Sequence, residues 1–106
     1  MPATKNNALN KAKKLVSLLN LNSIEVAEAY LFGSSISGIN TENSDIDVAI
    51  ISKDFAGIPF YDVKKISKYR RSIDLKLEVH PFSIEDAIEY PSAFLDEIKS
   101  KGIKIM

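Results

Sequence analysis

Two acidic residues two positions apart, Asp45 and Asp47, open the apolar run Asp45-Ile46-Asp47-Val48-Ala49-Ile50. In a strand successive side chains point to opposite faces, so the two carboxylates share one face while Ile46, Val48 and Ile50 share the other. Like charges placed side by side repel, and a cation relieves the repulsion; hard oxygen donors favour Mg²⁺. An earlier apolar run, Ala29 to Phe32, leads into Gly33-Ser34. Glycine lets a backbone pass close to a phosphate, and the amides that follow, if they open a helix, point N–H groups at an anion. A phosphate cradle on one side and a metal site on the other imply a nucleotide. The plainer reading of the same residues is a hairpin with a polar loop and two solvated aspartates.

Two familiar nucleotide and metal motifs do not fit this stretch. Gly33-x-x-x-x-Gly38 has the outline of a P-loop, but Ile39-Asn40 stands where Lys and Ser or Thr are required. An EF-hand needs a third ligand two residues beyond the second Asp and then a Gly, where Ala49 and Ile50 stand instead.

Gly33-Ser34, ten residues, then Asp45-x-Asp47 flanked by apolar residues resembles the nucleotidyltransferase superfamily of DNA polymerase beta. The shortness of the chain is similar to that of its smallest members, the prokaryotic minimal nucleotidyltransferases. The motif spans Gly33 to Val48, and the order of elements in the rest of the chain is similar too. The resemblance implies an α/β chain with the polymerase beta-like fold, a small mixed β-sheet with helices packed on it. It also implies Mg²⁺, two ions, and ATP or another NTP as substrate. Asp45 and Asp47 would be catalytic metal ligands, and Gly33 and Ser34 would hold the nucleotide's terminal phosphates.

Two-metal nucleotidyl transfer also needs a further acid, and Asp74 and Glu78 are the candidates. In the family such an acid often sits on a strand before an apolar residue, any residue and a Pro. Glu78-Val79-His80-Pro81 matches that arrangement and Asp74 does not, so Glu78 is the expected third catalytic and metal-binding carboxylate, with Asp74 the alternative. His80, on the polar face of Glu78, reads first as a structural residue. Lys76 and Arg70-Arg71 read as a solvated strand residue and a helix end. The superfamily's larger members carry extra domains that select the acceptor. The resemblance therefore implies completion by self-association or by a HEPN-domain protein partner, as in modules where the minimal enzyme transfers AMP to its toxin. The reading from another class is an antitoxin that acts by protein contact without catalysis.

The elements that must position these residues follow from periodicity. Ala8, Leu9, Ala12, Leu15, Val16 and Leu19 recur at helical spacing, and Asn20 to Ser23 end that helix. Ile24 to Phe32 is the first strand, made irregular by Glu25 and Glu28. A short helix over Ser35 to Gly38 and a mobile loop over Ile39 to Ser44, with Ser44 ordering the turn, lead to a second strand over Asp45 to Ser52, apolar enough for the middle of a sheet. Phe60, Val63 and Ile66 place a crossover helix over Pro59 to Arg70. Ser72 to His80 alternates strictly, with Ile73, Leu75, Leu77 and Val79 on the buried face, and Pro81 ends it. Ser83 with Asp86 caps a helix running to Tyr90. Pro91-Ser92 starts another, with Phe94, Leu95 and Ile98 toward the core, and Gly102 ends it before a short last strand. Tyr30, Tyr61, Tyr69 and Tyr90 are expected to pack.

Composition excludes several classes. The 106 residues are expected to form one domain, residues 1–106. Lys plus Arg and Asp plus Glu are both 14, so the formal net charge is zero and long nucleic acid is not favoured as a partner. The absence of Cys removes disulfides, thiolate zinc sites and a Cys nucleophile. No run is long and apolar enough for a membrane span, and the polar start argues against a signal peptide, so a cytoplasmic protein is expected.

Overall fold

A computed structural model describes residues 5–33 and 45–106. The short helix and mobile loop expected over 35–44, together with Ser34 and Ser44, lie outside the described residues. The order of elements is α1 Lys5–Leu21, β1 Val26–Phe32, β2 Ile46–Ser52, α2 Pro59–Ile73, β3 Leu77–Ser83, α3 Ile84–Ile88, α4 Ala93–Lys101 and β4 Ile103–Lys104. The sheet is mixed, in the order β3-β2-β1-β4. β1 pairs antiparallel with β2 and β4, while β2 pairs parallel with β3 across the α2 crossover.

β2 is central and its apolar run is buried on both faces, as expected of a strand covered from two sides. Ile46, Val48 and Ile50 join Leu77, Val79 and the apolar stripe of α1 in one core, completed by Ile66 of α2. Ala49 and Ile51 join Tyr30 with Ala87, Leu95 and Ile98 of α3 and α4 in a second. The α1 residues Ala8, Ala12, Leu15, Val16 and Leu19 are all buried, so their spacing reports a true helix face. β1 takes one extra residue between Val26 and Glu28 where β2 takes none. This bulge is how Val26 and the odd-numbered Ala29 and Leu31 reach the same core. On the other face the Tyr30 hydroxyl donates to Glu28 at 2.6 Å. Burial, then that bond to a carboxylate, pushes Tyr30 up to about 12.

Several expected boundaries differ, and β1 begins at Val26 instead of Ile24. α2 continues to Ile73, and the alternation from Ser72 crosses a tight turn before β3 begins at Leu77. In that turn Asp74 accepts the Lys76 amide at 2.8 Å, and Arg70 donates to the carbonyls of Leu75 and Leu77 at 3.1 Å each. Leu75 is consequently 73% exposed, not part of the core. Pro81 does not end β3, which runs on to Ser83; β3 is an edge strand, where a residue without an N–H is tolerated. The helix capped by Ser83, whose hydroxyl accepts the Asp86 amide at 3.1 Å, stops at Ile88 instead of Tyr90. Ile66 is buried as expected, but Phe60 and Val63 are exposed, as are Tyr61 and Tyr90. Leu95 and Ile98 face the core from α4, which Ser92 caps, while Phe94 is partly exposed. Among the described residues no helix is long and apolar enough to cross a membrane.

The link from β2 to α2 depends on a buried acid. Asp62 is 3% exposed, and its carboxylate accepts the amides of Ala56 at 2.8 Å and Gly57 at 2.9 Å. Ile58, at the N-cap of α2, makes no side-chain cap bond, so Asp62 anchors the loop from inside the first turn. Asp62→Ala leaves both amides without their partner and should lower stability by about 2 to 4 kcal/mol, measured by urea denaturation, with Asp62→Asn losing less.

Candidate functional site

The strands deliver their polar residues to one end of the sheet, where β1 finishes and β2 and β3 begin. Register sets the rows: Phe32 lies opposite Asp47, which lies beside Glu78, and in the next row Tyr30 lies opposite Ala49, which lies beside His80. All six point to the face covered by α4, by the two-residue period of a strand. Ala49 is small, so the ring of His80 reaches across it to Phe32, with centroids 5.1 Å apart, while Phe94 of α4 packs against the imidazole at 5.8 Å. His80 Nε2 stands 3.3 Å from Asp47 Oδ1. One donor atom from each of Asp47, Glu78 and His80 lies within 4.8 Å of the others.

Asp45 immediately precedes β2. The amide of Ile46 donates to the carbonyl of Lys76 at 2.8 Å, which ties the start of β2 to the start of β3. Asp45 thereby meets Glu78 through a side-chain hydrogen bond. The carboxyl of Glu78 is raised above its ordinary value, by desolvation first, then by the bond to Asp45 and the charge of Asp47, with His80 opposing. Asp45, Glu78, Lys76 and Arg70 line an open cleft of about 350 Å³, whose other wall includes Val63 and Leu75.

Gly33 closes the site from β1. Its φ is +78°, and a Cβ built there would overlap the Asp47 carboxylate. Both the backbone conformation and the space therefore require glycine.

Of the residues expected to do chemistry, the structure brings Gly33, Asp45, Asp47 and Glu78 together, while Ser34 lies outside the described residues. Asp74, the alternative third acid, is engaged elsewhere: it pairs with Lys11 of α1, and that bond followed by the Lys76 amide holds its carboxyl below the ordinary range. His80, read from the sequence first as a structural residue, also lies in this cluster. Its signal was present in the alternation, since it shares the polar face of β3 with Glu78, but only the β2–β3 register shows that the face ends against Asp47.

A mixed sheet sandwiched by helices, with clustered carboxylates and a close glycine turn where its strands meet, defines a small α/β domain of the nucleotidyl-transfer class. The chain belongs to the polymerase beta nucleotidyltransferase family: the family described as "Polymerase beta, Nucleotidyltransferase" matches residues 13–106. Within that superfamily it has the character of a minimal nucleotidyltransferase. The crystal structure of a protein from Sulfolobus solfataricus assigned as a nucleotidyltransferase superposes with a TM-score of 0.67 at 20% sequence identity, covering 94% of this chain and 80% of that one. At that identity the likeness concerns the fold. The chain matches no curated protein.

Gly33→Ala should cost about 1 to 3 kcal/mol from the positive φ alone and turn Asp47 away from Glu78; thermal unfolding together with divalent-ion binding would register both losses. Because Glu78 is raised in the folded state, its ionisation opposes folding, and the penalty is absent below its unfolded value and grows as pH rises through the folded one. Glu78→Gln should therefore raise the melting temperature at pH 7 and change it little at pH 4, as scanning calorimetry at the two pH values would show.

Proposed function

We propose that the protein is a Mg²⁺-dependent nucleotidyltransferase that moves an NMP, with AMP favoured, from an NTP to an acceptor hydroxyl. The observation that carries this reading is the pairing of Asp47 with Glu78 across parallel strands beside the positive-φ Gly33. Family membership supports it. Asp45, Asp47 and Glu78 fit hard divalent cations, because three neighbouring carboxyls with a raised member are a set whose charge a cation would neutralise.

In the proposed reaction Asp45 and Asp47 would hold one ion, and Glu78, with Asp47, would help to hold the second. Bound ions would supply polarisation of the α-phosphate and neutralisation of the pyrophosphate. The Gly33 backbone, with Ser34, accommodates the terminal phosphates. The acceptor oxygen forms its bond to the α-phosphorus as the α–β phosphoanhydride bond breaks, pyrophosphate leaves with the electron pair, and Glu78 takes the acceptor's proton. Most of the acceleration in such a site comes from positioning and charge neutralisation.

The acceptor proposed is a protein in the cytoplasm, a HEPN-type toxin partner in a toxin and antitoxin pair, with self-association of the chain as the other way the site would be completed. Support comes from the formal neutrality of the chain and from the apolar cleft wall, where Val63 and Leu75 are exposed. The same exposed surface favours one other reading, an antitoxin that acts by contact alone.

Incubation with α-phosphate-labelled ATP, Mg²⁺ and a lysate of the source organism separates them. Label should pass to a discrete protein band and fall by at least about 100-fold with Asp45→Ala or Asp47→Ala. A folded protein that transfers no label from any of the four nucleotides, yet retains a partner equally well with Asp47→Ala, would replace this reading with the contact one.

A further inference from the structure

His80 sits against the carboxylates in a way that a structural histidine does not require. A charge-assisted hydrogen bond between an imidazole N–H and a carboxylate closes to about 2.7 to 2.9 Å. The observed Nε2 to Oδ1 separation is 3.3 Å. Two adjacent donors about 2.1 Å from a shared ion stand roughly 3.0 Å apart in octahedral and 3.4 Å apart in tetrahedral geometry. The His80 and Asp47 atoms, in contact with each other, also have the spacing of neighbours around one ion, and Glu78 offers a third atom within 4.8 Å of both. The ring is also held in place: Phe32 meets it at 61° and Phe94 at 70°, edge to face. Such packing keeps Nε2 aimed at the carboxylates, within hydrogen-bond reach of Asp47.

We propose that His80 Nε2 is a third protein donor to the divalent ion held by Asp47 and Glu78, making a mixed nitrogen and oxygen site that favours Mn²⁺ and later first-row ions over Mg²⁺. The inference rests on the reading that this site holds a divalent ion. Its physical basis is that Mg²⁺ strongly prefers oxygen donors and keeps its water, whereas imidazole nitrogen adds affinity for Mn²⁺, Co²⁺ and Ni²⁺. Substrate scope is unaffected; what changes is the metal on which the site works best.

The chain contains a single histidine, so any imidazole signal from a bound ion belongs to His80. Mn²⁺ added to protein without a histidine tag and without nucleotide should show imidazole ¹⁴N modulation in its electron spin echo. His80→Gln should abolish that modulation and lower the ratio of Mn²⁺ to Mg²⁺ affinity, by calorimetric titration, about tenfold. The wild-type spectrum needs no variant, so a folding defect in His80→Gln does not weaken the test. Mn²⁺ bound without imidazole modulation would overturn this inference and leave nucleotidyl transfer standing. No Mn²⁺ binding at all, with label transfer also absent, would overturn both.

Discussion

The parallel register of β3 against β2 sets Asp47 beside Glu78 and Ala49 beside His80, and the rest of the site is arranged around that alignment. A slip of one residue would turn Glu78 and His80 toward α1 and α2 and bring Val79 beside Asp47, because the side-chain period of a strand is two. The register is secured by burial. Val48 and Ile50, with Leu77 and Val79, fill one core, so any slip would expose them and drive charges into it. The polar end of the sheet is thus held by apolar packing at a distance from the chemistry.

That arrangement accepts a local electrostatic cost. Asp45, Asp47 and Glu78 crowd one edge, and desolvation first, then the bond to Asp45 and the charge of Asp47, make Glu78 hold its proton more tightly than usual. Rigid strands keep the acids from separating, which a loop would allow. Several other charged groups serve the fold: Lys11 takes Asp74, Lys99 and Lys104 approach Glu28 at 3.9 and 3.7 Å, and Arg70 closes the turn into β3.

Much of this was legible in the residues. The period of α1, the two-sided apolar run of β2 and the Ser caps of α3 and α4 are local consequences of spacing and hydrogen bonding, and each appears where the pattern put it. Ser72 to His80 misled because Ile73 and Leu75 continue the alternation of β3 by coincidence, while the chain is still leaving α2; helix propagation and the Asp74 turn outweighed the pattern. Phe60, Val63 and Ile66 marked the crossover helix correctly, but three-residue spacing does not tell which side the sheet covers, and only Ile66 is buried.

By itself the sequence determined the pair of acids on one strand face, the glycine turn before them and a further acid on a later strand, since these follow from residue type and a period of two. Only the tertiary structure decided between the candidates for that further acid's neighbourhood, placing Glu78 in the cluster and Asp74 against Lys11. It alone brought His80 to Asp47, thirty-three positions away in the chain, because strand register across a crossover helix is set by packing over both sheet faces, which no local pattern encodes.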